Sequence, residues 1–103
     1  MEQTLLKVQN LEKFIKKHGE DALISQTLSK MAAYKIQRFE RKIKELTKEL
    51  KVFEHAYKKE SKVFFEEFKE GMLGDEMDLV EWSSLYQMRK RLLEKKQEFE
   101  SII

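Results

Sequence analysis

Apolar residues recur at Ala32, Ile36, Phe39, Ile43, Leu46, Leu50, Phe53 and Tyr57, in steps that alternate four and three. That alternation lines one side of a helix and marks it as a seam meant to meet another helix. Carried over the interval 20–59, the pattern predicts one helix about 60 Å long from the rise per residue. A seam of that length does not stay bare in water, so the chain is built to pack helices, its own or those of a partner. Little in the chain opposes this reading. The 103 residues contain no proline and three glycines, while Lys, Glu, Leu, Gln and Met are all good helix formers. The expected fold is all-α in a single helical domain, 1–103. A long central helix carries a C-terminal helix folded back antiparallel as a coiled-coil-like hairpin, with an N-terminal helix beside them.

Taken in order, an N-terminal helix over 2–18 gathers Leu5, Leu6, Val8, Leu11, Phe14 and Ile15 on a broad face and stops at His18-Gly19. The long helix begins with Ile24, Leu28 and Met31, one residue out of phase with the seam that follows, which predicts a change of packing partner between Met31 and Ile36. The seam pattern ends at Glu60-Ser61, where Ser61 is expected to cap a short helix over 62–70. Gly71 and Gly74 bracket a turn. Asp78-Leu79-Val80-Glu81 reads as a capping box that opens a last helix over 78–100. Its seam is Trp82, Leu85, Leu92 and Phe99, interrupted by Arg89 and Lys96, two cations that need either solvent or acids opposite them. At about 35 Å and 25 Å, the last and first helices together match the length of the central one. The last helix is therefore expected on the Phe39 to Tyr57 half, and the first near Leu28 or against a second copy of the chain.

Several chemistries find no footing. Without cysteine there are no disulfides and no thiolate metal sites. Nucleophilic catalysis needs a base beside an activated Ser, Thr or Cys. The two histidines are explained by a helix end (His18) and a Lys-rich exposed stretch (His55), so enzyme activity is not expected. Asp75, Glu76, Asp78 and Glu81 crowd hard oxygen ligands together, but not at the alternating spacing of a calcium loop. No metal and no cofactor are expected. No apolar run is long enough to span a bilayer, and the expectation is a soluble, cytoplasmic protein.

Charge is unevenly spread. Residues 1–59 carry 14 Lys and Arg against 8 Asp and Glu, whereas 60–103 carry 7 against 11. The basic residues Lys35, Arg38, Arg41, Lys42, Lys44, Lys48 and Lys51 could track phosphates, but Glu40, Glu45 and Glu49 interleave with them, so nucleic acid is the lesser alternative. The acidic stretch 60–82 also carries Phe64, Phe65, Phe68, Met72, Leu73, Met77 and Trp82. These aromatics either fold against the long helix as core or anchor a basic partner that the acids steer. Phe64, Phe65, Glu66, Glu67 and Glu70 are the candidate contacts. Gly71, Leu73, Gly74, Asp75, Asp78, Glu81 and Trp82 are the structural motif, with Trp82 locking this elbow onto the rod.

Ala33-Tyr34-Lys35-Ile36, Phe64-Phe65-Glu66-Glu67-Phe68, and above all the run from Gly71 to Tyr86, carry a resemblance. They resemble small helical proteins of archaea and bacteria with a Gly-x-Leu-Gly-Asp-x-x-Asp-x-x-Glu-Trp run, often encoded beside small ribonuclease-like toxins and labelled antitoxin-like. The likeness spans roughly residues 20–95 and departs at Tyr57-Lys58-Lys59-Glu60-Ser61, where a Gly-Met-Ser type of turn is the family's habit. It implies a protein that neutralises a small basic, RNase-like partner. The expected partners are that protein and a second copy of the chain, as a homodimer, with no membrane involved. The rival expectation is a homo-oligomeric coiled-coil scaffold.

Overall fold

The structure, a computed structural model, describes residues 2–103. It is all-helical, with α1 over Glu2–His18, α2 over Ala22–Tyr57, α3 over Ser61–Lys69 and α4 over Met77–Glu100. Helix α4 runs antiparallel to the C-terminal two-thirds of α2. Phe39 meets Phe99 edge-on at 5.7 Å, Glu40 pairs with Lys96 at 3.5 Å, and Thr47 accepts from Arg89 at 2.8 Å. Farther along, Phe53 stacks on Trp82 at 5.6 Å and Tyr57 reaches Asp78 at 3.3 Å. Both cations on the α4 seam thus find partners on α2. Lys96 takes a carboxylate, and the Arg89 Nε takes a hydroxyl that itself donates to the Ile43 carbonyl.

The seam closes with different completeness along its length. Ile36, Leu46 and Leu50 are buried, whereas Phe39, Ile43, Phe53, Leu85, Leu92 and Phe99 are half-buried. Tyr57, at the far end, keeps much of its ring in solvent and lays the rest on Trp82 at 5.4 Å. The densest core lies at that end, where Leu50, Phe64, Leu79 and Trp82 are buried together under Phe53, Phe65, Phe68, Leu73, Leu85 and Tyr86.

Helix ends follow local chemistry in part. Gly19, at φ 91°, lets the chain leave α1, and the Asp21 carboxylate accepts from the Ile24 N–H at 3.0 Å to start α2. Two sequence expectations are corrected here. Ser61 does not cap α3: it is already the first helical residue, and its N–H donates to Glu54 Oε2 at 2.8 Å, a carboxylate delivered from α2. Asp78 and Glu81 do not form a capping box either. Helix α4 starts earlier, with Glu76 in the cap position making no side-chain cap bond, and the Asp78 carboxylate accepts from Tyr57 instead. In the first turn Asp78 is still favoured by the helix dipole.

Helix α1 stands apart. It has no buried residue, and no Cα of α1 lies within 8 Å of a Cα in another helix. Interlocked helices bring their nearest Cα atoms to about 4–5 Å, given axes 8–10 Å apart. The molecule measures 58 × 22 × 19 Å, and α2 alone is about 54 Å long. Helix α1 therefore cannot continue the axis of α2 and lies back beside its first turns. The half-buried apolar residues on either side of the Gly19 turn are Leu11 and Ile15 on α1 and Ile24 and Leu28 on α2.

Candidate functional site

The elbow is built where α2 ends, α3 crosses and α4 begins. Helix α2 closes on Lys58, which adopts φ 52° so that its own N–H and that of Lys59 both reach the Glu54 carbonyl. Helix α3 closes on Gly71 at φ 75°, whose N–H bonds the Phe68 carbonyl while that of Met72 bonds Glu67, a pair of bonds that turns the chain sharply. Gly74, at φ 82°, completes the reversal into α4. A β-carbon would be strained at either glycine.

Inside the elbow, Trp82 is the hub. Its indole lies parallel to Phe64 at 3.8 Å, near Phe53 and Tyr57, and its N–H donates to the Ser61 hydroxyl at 2.9 Å. That hydrogen bond is buried and ties α4 to the first residue of α3; leaving the indole donor unpaired would cost about 1–3 kcal/mol. Trp82 thus locks the elbow onto the rod, as its position in the sequence suggests.

The candidate contact residues divide. Phe64 is fully buried and is corrected from a contact residue to a core residue, because stacking on Trp82 leaves it no free face. Phe65 is half-buried, tilted against Tyr86 at 5.0 Å with the Lys69 ammonium 5.2 Å above its ring. Glu67 is half-buried and ion-paired with Lys59 at 2.6 Å, so it holds α3 against the end of α2. Glu66 and Glu70 are exposed, and of the five they remain free to meet a partner.

The turn after α3 supplies surface that the residue-by-residue reading of the sequence passed over. Met72 and Met77 are 65% and 84% exposed, with Asp75, Glu76 and Asp78 exposed around them. Leu73, the residue after Met72, joins Leu79, Tyr57, Lys59, Phe64 and Trp82 around a recess of about 230 Å³. Two exposed, flexible thioethers in a turn that also exposes Asp75, Glu76 and Asp78 form a surface that can repack against an apolar residue carried by a basic chain. The signal was present in the sequence as methionines flanking Gly74, where a turn cannot bury both.

Other chemistries are sparse. His18 leans on Phe14 at 4.7 Å and His55 is exposed. Among the described residues no three His, Asp or Glu side chains converge as a metal site would require, and no helix is long and apolar enough to cross a membrane. Tyr57 is the titrating group that the elbow perturbs. Desolvation, then the negative charge of Asp78 that accepts its hydroxyl, then that of Glu76, push the phenol above its ordinary value. Compared with family models, curated proteins and solved structures, the chain matches none of them.

Proposed function

We propose that the chain is a protein-binding module whose elbow docks a small basic protein, in the manner of an antitoxin that neutralises an RNase-like partner. The observation that supports this most is the exposure of Met72 and Met77 within the acidic turn. A rigid aromatic core holds the turn from below, so its apolar tips are presented without a large ordering cost. Exposed Glu66, Glu70, Asp75 and Glu76 supply the field that would steer a cationic surface and imitate the phosphates an RNase binds. The contact set is accordingly Glu66, Glu70, Met72, Asp75, Glu76 and Met77, with Phe64 withdrawn.

The nucleic-acid reading has less support. Lys42 is engaged with Glu45 at 3.6 Å, so part of the basic face is spent within the molecule. The docking proposal is tested by retrieving partners with a tagged chain from its host and titrating the purified partner. A small basic protein is expected, with affinity reduced at least tenfold by Glu66→Lys/Glu70→Lys/Glu76→Lys. Retrieval of no such protein, or equal binding by the triple variant, overturns the proposal.

A further inference from the structure

The two flanks of the α2–α4 hairpin are not alike. On one, Lys96 pairs with Glu40 at 3.5 Å, Arg89 donates to Thr47 at 2.8 Å, and the start of α3 closes over the junction at Ser61. On the other, α2 and α4 alone line two recesses, of about 260 Å³ toward the elbow and about 240 Å³ toward the open end. Residues there keep the spacing of a second packing stripe. On α4 it runs Glu81, Leu85, Met88, Leu92 and Lys95, in steps of four and three. On α2 it runs Lys35, Arg38, Lys42, Glu45, Glu49 and Val52, in steps of three and four. Val52 is 68% exposed and Met88 37%, and Phe53, Leu85 and Leu92 are only half-buried.

Charge on this flank works against the hairpin itself. The recess toward the elbow is lined by Glu49 from α2 and Glu81 from α4, with no cation. The recess toward the open end is lined by Lys42 from α2 and by Arg91 and Lys95 from α4, with no acid. Like charges thus face each other across the junction in both. Among the described residues, only Lys42 of these five has an ion-pair partner, Glu45 on its own helix at 3.6 Å. That pair is largely in solvent and stabilises little. Lys35 and Arg38 extend the basic reach along α2, where they lie against the rings of Phe39 and Tyr34. The acids nearest on α4, Glu94 and Glu98, are exposed and pair with none of these cations.

An occupant that relieves both recesses must be basic opposite the elbow end and acidic opposite the open end, with apolar side chains between. A basic protein would suit one recess and a run of phosphates the other. A second copy of the chain, turned end for end, suits both. With α2 laid on α2 and α4 on α4, Glu49 and Glu81 of each copy lie along the Lys42, Arg91 and Lys95 reach of the other, and Met88 falls near the twofold axis. Helix α4 has 24 residues and is about 36 Å long. Two helices side by side are about 20 Å wide, so the strip offers roughly 700 Å², near the 800 Å² or so that each partner contributes to a stable interface.

We propose that this open flank of the α2–α4 hairpin is the self-association surface of the chain, pairing antiparallel with the same flank of a second copy. The pairing is isologous, so the assembly closes at two. It uses none of the elbow residues assigned to a basic partner and stands independently of that assignment.

The test is sedimentation velocity with light scattering on the full chain, up to about 100 µM. The parent is compared with Glu49→Lys/Glu81→Lys, whose flank is basic throughout, and with Lys42→Glu/Arg91→Glu/Lys95→Glu, whose flank is acidic throughout. The parent is expected at twice the single-chain mass, dissociating more readily as salt is raised. Each variant alone is expected to pair about a hundredfold more weakly or worse, since like charges then meet along the whole strip. Mixed in equal amounts, the two variants are expected to recover the double mass as a mixed pair. All five positions are exposed, so each variant should keep the thermal transition of the hairpin, and recovery on mixing separates lost pairing from lost folding. A parent that stays at the single-chain mass throughout overturns the proposal. A variant that pairs with itself as tightly as the parent overturns the assignment to this flank. Variants that stay single when mixed overturn the end-for-end arrangement.

Discussion

Tyr57 stands where the two long helices meet the elbow, and partial desolvation beside the Asp78 carboxylate makes it sensitive to pH. Its hydroxyl donates to Asp78 Oδ2 at 3.3 Å while desolvation and the nearby carboxylates raise its proton affinity. The folded chain therefore holds this proton more tightly than the unfolded chain. The stabilisation is intact below the ordinary phenol value of 10.0 and is lost as pH rises through the higher folded value. Urea midpoints measured between about pH 8 and pH 11 should fall at the alkaline end for the parent and flatten for Tyr57→Phe. A slope that persists unchanged in the variant would assign it to other groups. Phe64 shows what single residues conceal in sequence. Phe64, Phe65 and Phe68 lie within little more than one turn, and their spacing alone does not say which of them Trp82 will cover. Only the crossing of α3 over α4 decides it, by laying Phe64 flat on the indole at 3.8 Å and leaving Phe65 to Tyr86.

Helix ends carry the next prediction. Lys58 closes α2 in the left-handed region at φ 52°, where a β-carbon costs about 1–2 kcal/mol. Gly71 performs the same task at the end of α3 without that cost. Replacing Lys58 with Gly should stabilise the fold by about 0.5–1 kcal/mol once the greater freedom of glycine in the unfolded chain is subtracted. Chemical denaturation of the two proteins measures this, and an unchanged or lower midpoint would show that the strain is relieved elsewhere. The helix ends also mark how far the sequence could be read. Asp21, Gly19 and Gly71 act through neighbours a few residues away and were legible. The start of α3 was not, because its donor is met by Glu54, seven residues upstream across a turn. The apparent capping box at Asp78 misled for a related reason. Two other acids precede it, so the helix could begin at Met77 and free the Asp78 carboxylate for Tyr57.

At the scale of the whole molecule, stability should be graded from one end to the other. The hairpin was legible because the four-three alternation survives along most of α2, and the antiparallel return followed from helix lengths. The isolation of α1 was not, since its apolar face looks like that of any packed helix until its neighbours are known. Buried contacts concentrate around Leu50, Phe64, Leu79 and Trp82, whereas α1 has none. Amide exchange should therefore be slowest for the central residues of α2 and for 79–86, and fastest throughout α1. Equal protection of α1 and the elbow would contradict this gradient. Trp82, the single tryptophan of the chain, belongs to the slow end. Its indole sits in an apolar stack with its N–H held by Ser61, so its fluorescence reports the elbow and little else. A shift of that emission to longer wavelengths marks water entering the stack, and binding at the acidic turn is read there without a label. Events on α1, at the other end of the rod, stay dark to the same probe. One spectrum can thus tell which end of the molecule a ligand has found.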